Sequence, residues 1–352
     1  LREEGGSEYD DVAEQISEHL GSVIGSEAEG TNHLMFASRS AGEETVLEKF
    51  DDFQGGDREF ETVTFRVIPE NGARMAELET GGIQVAGDVD SSSAVRVEEG
   101  EETELVEQES VRMSYLGFNT EKEPFDDVKV RQAISYAIDR DEIISGVYDD
   151  MGIKAEGPLA PDVWGHDENL EGVEYDMERA KELLSETDVA DGFETTIWVD
   201  EDPQIIDTAV YIQEKLSELN IDVQVEQFEW GTYLDRTAQG DHEMFILGWT
   251  TVTADADYGL YALFHSNSHG ETGNRSFYTN EEVDNLLDEG RTEPDEDTRF
   301  EAYSQAQEIL IEEAPAAYLF HTNFAIGVNA SQVSGVDLDP VGNIRLENVT
   351  FE

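Results

Sequence analysis

One short segment, LGWTTVTADADYGLY at 247–261, combines residue types that could hold a small molecule. Gly248 has no side chain, so another backbone can approach it closely. Asp255 and Asp257 could receive an ammonium group through charge-assisted hydrogen bonds. The alternative is that both aspartates cap a helix that begins near Tyr258. The predicted ligand-binding residues are Gly248, Trp249, Thr250, Asp255, Asp257 and Tyr258.

Two histidines and two aromatic residues near this segment are further candidates. His265 and His269 are four residues apart, a spacing that would put both on one face of a helix and could bind a metal. The Ser-Asn-Ser between them and Gly270 after them favour a loop, and no HExxH motif completes the set. We therefore predict no metal site and no cofactor. Trp230 and Tyr233 are predicted to lie in the core rather than in the site.

The chain lacks the motifs of common catalytic and nucleotide-binding sites. It contains no G-x-S-x-G elbow and no P-loop. It also has no cysteine, which excludes disulfides, thiolate metal sites and a cysteine nucleophile. Carboxylate pairs are uninformative among 83 acidic residues. We predict that the protein is not an enzyme, and an acidic hydrolase is kept as an alternative.

The charge of the chain restricts its partners. Asp and Glu outnumber Lys and Arg by 83 to 21, which gives a net charge of -62. Such a surface repels nucleic acids and anionic lipids. Self-repulsion destabilises the compact state in low salt, whereas molar salt shortens the screening length to roughly 3 Å. Apolar periodicity persists between the acidic residues, so the composition predicts a folded, halophilic protein with no nucleic-acid partner.

The elements that position the candidate residues alternate between strands and helices. Alternating or continuous apolar residues predict strands, and apolar residues three or four apart predict helices. Strand, helix, strand is the unit of an α/β domain. No apolar run approaches the roughly 20 residues of a membrane span. The predicted strands are 44–50, 62–68, 83–86, 115–118, 195–199, 221–225, 244–249 and 318–328, and the predicted helices are 10–20, 71–80, 130–144, 177–184, 205–219, 230–238, 280–289 and 298–313.

The segment SYLGFNTEKEPFDDVKVRQAISYAIDRDEIISGVY at 114–148 resembles a known pattern. It is similar to the lobe crossover of the oligopeptide/dipeptide-binding family (family 5) of ABC-transporter solute-binding proteins. In that family a Y-x-x-F-N strand precedes P-F-x-x-x-x-V-R-Q-A-x-x-x-A-I-D-R. Further similarities follow the family order from about Glu44 to the C-terminus. They include FDDFQGG at 50–56, GP at 157–158, WG at 164–165, EWG at 229–231, LGWT at 247–250 and NVTFE at 348–352.

The resemblance implies an α/β, two-lobed periplasmic-binding-protein-like (type II) fold with mixed sheets. Mapped onto this chain, lobe 2 spans 119–314, while 1–118 and the return segment 315–352 form lobe 1. Family members place more sequence before the point where this chain starts. We therefore expect an N-terminally incomplete first lobe, in a family member of the halophilic archaeal type.

The resemblance also implies a function. We expect a monomeric, extracytoplasmic receptor at the cell surface that captures a peptide or peptide-like solute between its lobes. The receptor would deliver the solute to the permease subunits of an ABC transporter. In the family, backbone groups around Gly248 and Trp249 pair with an extended ligand, and the indole forms a flat apolar wall. We expect membrane association only through a missing N-terminal anchor.

Two departures from the family concern the charged ends of a peptide. Relatives hold the amino group with an aspartate three residues after the tryptophan, where this chain has Val252. Dipeptide-binding relatives use an arginine for the carboxylate, and 198–207 contains no arginine. A free dipeptide is therefore not the expected ligand. The alternatives are a binder of nickel or another metal complex, a binder of a glutathione-like ligand, and a truncated or degenerate member that binds no ligand of its own.

Overall fold

The computed structural model describes residues 33–50, 53 and 59–352. The predicted helix at 10–20 and most of the FDDFQGG similarity lie outside the described residues. The helices are α1 (Asn71–Glu79), α2 (Ser91–Glu98), α3 (Val128–Ala137), α4 (Arg140–Val147), α5 (Met177–Ser185), α6 (Pro203–Ser217), α7 (Trp230–Ala238), α8 (Ala256–Phe264), α9 (Glu281–Thr292) and α10 (Glu296–Glu313). The strands are β1 (Leu34–Ser40), β2 (Glu44–Lys49), β3 (Thr62–Arg66), β4 (Val85–Ala86), β5 (Thr103–Gln108), β6 (Arg112–Phe118), β7 (Gly152–Lys154), β8 (Glu194–Val199), β9 (Asp222–Gln227), β10 (Met244–Thr250), β11 (Ala316–Thr322), β12 (Phe324–Asn329), β13 (Val333–Ser334), β14 (Asp337–Leu338), β15 (Ile344–Arg345) and β16 (Thr350–Phe351). Within these ranges no helix combines the length and the apolar character that a bilayer crossing needs.

The largest sheet has six strands in the order β7-β11-β6-β10-β8-β9. β10 runs antiparallel to β6 over its whole length, from Met244 opposite Phe118 to Thr250 opposite Arg112. β8 is parallel to both β10 and β9, whereas β11 is antiparallel to both β6 and β7. The carboxyl ends of β8, β9 and β10 therefore meet the start of β6 on one side of the sheet. We call this side the carboxyl edge and define it by Val199, Gln227, Thr250 and Arg112.

Two apolar cores cover the two faces of this sheet, because successive side chains of a strand point to opposite faces. Leu116 and Ile246 lie in one core, together with apolar side chains of α3, α5 and α6. Tyr115 and Phe245 lie in the other core, together with side chains of α8, α9 and α10. The first four residues of β10 are buried, which confirms the prediction of a strand that is covered on both faces.

A second sheet, in the order β4-β12-β5, packs against α1 and α2. Its core contains Met75, Leu78 and Ala325. Two short crossings join it to the central sheet, one at 109–111 between β5 and β6 and the other at Asn323 between β11 and β12. Both crossings leave the central sheet at the carboxyl edge, so this edge faces the second sheet. The remaining strands form the small sheets β1-β2-β3, β13-β16 and β14-β15.

The predicted helix at 130–144 is two helices, α3 and α4. The backbone becomes extended at Ile138, and the Asp139 carboxylate then accepts the N–H groups of Asp141 and Glu142 at 3.1 and 3.2 Å. These bonds satisfy the free N–H groups of a new helix start. The apolar spacing continues across the break, so the prediction of one helix is wrong.

The predicted β segment at 318–328 is also two elements. β11 belongs to the central sheet and β12 to the second sheet, since the chain changes sheets at Asn323. The predicted lobe boundaries, after 118 and after 314, separate β6 and β11 from β8 and β10, although all four strands belong to one sheet. The central sheet therefore extends beyond 119–314 to include 112–118 and 316–322. The predicted mixed α/β class is confirmed, and the division into two lobes stays a prediction.

Candidate ligand-binding site

β8 and β10 separate as they reach the carboxyl edge. They pair in parallel only where Met244 and Phe245 lie opposite Ile197 and Trp198. Beyond that point, the side of β10 that faces β8 pairs with no strand that the structure describes. Over 247–250 the sheet therefore has an internal opening, at the position where ligands bind in open α/β sheets.

The hydrogen-bond register decides which backbone groups face this opening. The N–H of Thr251 donates to the carbonyl of Val111 at 3.1 Å, and bonded positions alternate along an antiparallel pair. The odd-numbered residues of β10 therefore bond β6, whereas Gly248 and Thr250 direct their backbone groups away from it. The carbonyl of Thr250 accepts the N–H of Val252 at 2.9 Å. The N–H and C=O of Gly248 and the N–H of Thr250 are left to face the opening, where an extended ligand can add as a strand.

Gly248 also makes room for the side chain of Arg112. A Cβ atom at position 248 would lie 2.3 Å from Nη2 and 2.5 Å from Cζ of Arg112. Any side chain at this position would displace the guanidinium. The sequence predicted a close approach at Gly248, and the near neighbour in the structure is this arginine of β6.

Trp249 and Tyr258 form an aromatic pair beside the opening. Their ring centroids are 5.1 Å apart, and the planes are inclined by 34°. The indole Nε1 of Trp249 is buried and has no hydrogen-bond partner among the described residues. Because buried donors are nearly always paired, this N–H is available to a ligand carbonyl or a water molecule. The structure thus brings these two predicted residues together.

Asp255 caps a helix, as the alternative interpretation of the sequence predicted. Its carboxylate accepts the N–H of Asp257 at 2.9 Å and begins α8. It also accepts a hydrogen bond from Nη2 of Arg299 at 2.6 Å, and the Arg299 guanidinium lies 4.2 Å from the centre of the Trp164 ring. Asp255 therefore already has a capping role and a cationic partner, and its role in binding a ligand ammonium stays a prediction.

Asp257 is held by a second arginine. Its two carboxylate oxygens accept hydrogen bonds from Nε and Nη2 of Arg291 at 2.8 and 3.1 Å. This bidentate hydrogen bond raises the pKa of Arg291 above its usual value. An arginine of α9 therefore already holds the Asp257 carboxylate, and the role of Asp257 in binding an ammonium group stays a prediction.

Asp200 lies just past the end of β8, on the other side of the opening. It accepts the N–H of Asp202 at 3.0 Å and is half-buried. Burial raises the pKa of Asp200, whereas the bond from Asp202 and the positive charge of Arg112 act in the opposite direction. Asp200 and Arg112 therefore interact electrostatically without forming an ion pair.

Gln204 connects the start of α6 to helices α2 and α4. Its Nε2 donates to Oγ of Ser91 in α2 and to the carbonyl of Val147, both at 3.1 Å. Sequence reasoning noted that 198–207 contains no arginine but did not assign a role to Gln204. It also missed Arg112, for which the available signal was a cation at the start of a strand in a strongly acidic chain.

The two histidines lie on either side of a short 3-10 turn, Ser266–Ser268, rather than on one helix face. His265 is buried, and its Nδ1 accepts the N–H of Asn267 at 3.0 Å. The Nε2 of His269 lies 3.0 Å from the carbonyl of Tyr278. The expectation of a loop is confirmed. In the part of the chain that the structure describes, no three acidic or histidine side chains are grouped as metal ligands would be.

The two aromatic residues of α7 differ in burial. Tyr233 is fully buried, and its hydroxyl donates to the carbonyl of Ile246 at 2.5 Å. The prediction of a core position is confirmed for Tyr233. Trp230, at the first position of α7, is 50% exposed and stacks on Tyr233, so the same prediction is wrong for it.

A separate groove lies away from the carboxyl edge. It has a volume of about 770 Å³ and runs between β3 and the C-terminal strands, with mostly apolar walls that include Phe60, Val63, Phe65, Ile344 and Phe351. None of the six predicted binding residues lines it. Its lining also includes Arg66 and Arg74, but Arg66 already donates to Glu77 and Arg74 to the carbonyl of Ile68. The carboxyl edge combines open backbone groups with a guanidinium that has no hydrogen-bond partner among the described residues, and we therefore place the candidate site at the edge.

Comparison with known proteins gives a family. Residues 27–271 match the family described as bacterial extracellular solute-binding proteins, family 5 Middle. A dipeptide-binding protein of Escherichia coli (strain K12) is 30% identical over 308 residues, which cover 86% of this chain and 57% of the relative. Heme-binding protein A of Haemophilus influenzae is 29% identical over 298 residues, which cover 83% of this chain and 54% of the relative. The chain thus spans little more than half the length of these curated relatives.

Two solved structures with the same fold hold peptides. The periplasmic binding protein DppA of Helicobacter pylori, in complex with the peptide STSA, aligns with a TM-score of 0.84 and 31% identity. That alignment covers 99% of this chain and 67% of the other. A dipeptide-binding protein from a Pseudoalteromonas species, in complex with Met-Leu, aligns with a TM-score of 0.81 and 25% identity over 95% of this chain and 68% of the other. The family match covers more than half of this sequence, and the chain belongs to the family 5 extracellular solute-binding proteins.

Proposed function

We propose that the protein is a receptor that holds a peptide-like solute at the carboxyl edge. The observation that carries this proposal is the open side of β10 over 247–250, where the backbone groups of Gly248 and Thr250 lack a strand partner among the described residues. An extended peptide supplies the complementary N–H and C=O groups and adds as a strand. Trp249 and Tyr258 contribute an apolar wall beside it.

The rest of the proposal concerns the consequence of binding. The carboxyl edge lies where the crossings 109–111 and Asn323 join the two sheets. Rotation about two such crossings brings the second sheet over a bound solute, as in hinged binding proteins. We propose that the closed form is recognised by the permease subunits of an ABC transporter, on the outer side of the membrane. In this role the protein is a monomeric, non-enzymatic receptor.

The relatives support the peptide class. The Escherichia coli relative is named for dipeptides, and the Helicobacter pylori structure contains a four-residue peptide. The Haemophilus influenzae relative is named for heme, so the same family also includes a different ligand class. Val252, where relatives have an aspartate for the peptide amino group, is 57% exposed and apolar. We therefore propose peptide-like solutes that are held by backbone pairing and not by an anchored amino group.

The strongly acidic surface supports an adaptation to high salt. With a net charge of -62, mutual repulsion among carboxylates opposes compaction in dilute buffer. Concentrated salt screens that repulsion. We propose that the receptor works in a highly saline exterior.

Thermal unfolding with peptides tests the binding function. Pooled tetrapeptides are added in about 3 M KCl, where charges are screened within a few ångströms. A ligand that binds the folded state raises the melting temperature. Tetrapeptides with an N-methylated backbone are the matched control, because methylation removes the N–H donors needed for strand addition. Stabilisation by the unmodified pool alone supports the proposal. Cooperative melting with no response to any pool contradicts it, and cleavage of the peptides would instead indicate a hydrolase.

A further inference from the structure

We propose that Arg112 is the carboxylate anchor of this site and that the ligand is bound through its carboxylate end. This inference rests on the proposed function and specifies its ligand. The guanidinium of Arg112 lies above Gly248, at the opening between β8 and β10. It makes no hydrogen bond and no ion pair with any residue that the structure describes, although the chain carries 83 acidic residues.

Arg112 differs from the other partly or fully buried arginines in having a guanidinium without a hydrogen-bond partner among the described residues. Every other partly or fully buried arginine within the described ranges has a hydrogen-bond partner. Arg131 donates to the carbonyls of Phe125 and Glu313, for example, and Arg140 donates to the carbonyl of Tyr318. Burial of an unpaired guanidinium is unfavourable because its N–H donors lose water without replacement. A half-buried arginine that keeps its donors open is therefore suited to an external anion.

The surroundings hold Arg112 at the opening. Gly248 leaves the space that the guanidinium fills, and any Cβ there would collide with it. Asp200, across the opening, attracts the guanidinium without pairing with it. Tyr148 also interacts electrostatically with Arg112, but burial raises the pKa of Tyr148 to about 12, so its hydroxyl stays neutral and supplies no counter-charge. The guanidinium therefore has a nearby counter-charge in Asp200, while its N–H donors keep no hydrogen-bond partner among the described residues.

The chemistry of the guanidinium favours a carboxylate. Its planar fork of N–H groups matches two carboxylate oxygens at once, which a lysine cannot do. On the α8 side of the site, Asp255 and Asp257 already have Arg299 and Arg291 as partners and position 252 is a valine, while the nearest carboxylate across the opening, Asp200, faces Arg112 itself. The site is thus built to recognise the acid end of a peptide and to tolerate changes at the amino end.

Paired ligands test this inference. Pooled tetrapeptides are prepared as free acids, as C-terminal amides and as N-acetylated acids, and affinities are measured by titration calorimetry in about 3 M KCl. We expect the acids to bind roughly 10-fold tighter or more than the amides, since a charged bidentate pair is lost. N-acetylation should change affinity less than about threefold. In Arg112→Gln the preference for acids should disappear, and in Arg112→Lys only part of it should remain.

The matched control is Arg39→Gln. Arg39 lies exposed on β1 and has no partner that the structure describes, so this variant makes the same charge change away from the site. It should keep the preference for acids. The acid-to-amide ratio is taken within each variant, so a partly unfolded sample does not affect it. Equal affinity for acids and amides in the native protein would overturn the inference and leave the receptor function standing. Failure of every peptide to bind would overturn both.

Discussion

Gly248→Ala and Gly117→Ala are a matched pair of substitutions in neighbouring strands of the central sheet. An added Cβ would lie 2.3 Å from its nearest neighbour in both cases. At Gly248 the neighbour is the end of the Arg112 side chain, which can move into the opening. At Gly117 it is the ring of Phe245, which is 1% exposed and directly opposite on β10.

The two changes should therefore affect different properties. Overpacking against a confined ring destabilises a protein by about 1–3 kcal/mol, so Gly117→Ala should lower the free energy of unfolding by that amount. Gly248→Ala should stay within about 1 kcal/mol of the native protein, because a flexible side chain gives way and the unfolded chain loses entropy. It should instead reduce the preference for free-acid over amidated tetrapeptides by roughly 10-fold, since the guanidinium is displaced.

Urea unfolding at constant KCl measures the first property, and titration calorimetry measures the second. Two results would refute the reasoning. One is a Gly248→Ala protein that is destabilised as strongly as Gly117→Ala. The other is a Gly248→Ala protein that keeps the full preference for acids.

Three further outcomes follow from the charges and caps. The free energy of unfolding, measured by urea titration, should rise as KCl increases from about 0.1 to about 3 M, because screening relieves repulsion among the carboxylates. A free energy of unfolding that stays constant or falls with KCl would contradict halophilic adaptation. Burial lowers the pKa of His242 from 6.5 to about 3, so its neutral form stabilises the folded state above pH 6.5 and this contribution is lost as the pH falls. His242 should contribute up to about 1.4 kcal/mol per pH unit to the pH dependence of the free energy of unfolding. In His242→Asn this contribution should be absent between about pH 6.5 and 5. The same pH dependence in the variant and the native protein would refute this assignment. Asp255→Ala should lower the free energy of unfolding by about 1 kcal/mol, because the α8 cap is lost, and should leave peptide affinity unchanged. Loss of peptide affinity with unchanged stability would show instead that Asp255 binds the ligand.

Much of the fold could be predicted because local signals agree with tertiary packing. The apolar run in β10 and the cap at Asp176 are examples: Asp176 accepts the N–H of Arg179 at 2.9 Å and begins α5 as predicted. The break between α3 and α4 was missed because the helical spacing of apolar residues continues through it. The new helix start is determined by the Asp139 side chain, which caps α4. α2 and β5 were missed because Ser91–Glu98 and Thr103–Gln108 are rich in polar residues with little periodicity.

The candidate site was predicted only in part, since its contacts depend on strand register. Gly248 and Trp249 could be selected because the segment resembles the family, and Tyr258 follows them in the same segment. The position of Arg112 over Gly248 requires the antiparallel pairing of β6 with β10, which no local pattern reveals. The partner of Asp257 is likewise 34 residues away, at Arg291. A carboxylate that looks available in the sequence is therefore occupied in the fold.

Hydrogen exchange with and without bound tetrapeptide acids tests the central claim most directly, because it locates the ligand on the chain. We expect slower exchange of backbone N–H groups in 247–252, where the open side of β10 gains a partner, together with 109–114 and 198–206 around it. Protection confined instead to 60–68 and 344–351, which line the separate groove, would contradict the placement of the site at the carboxyl edge.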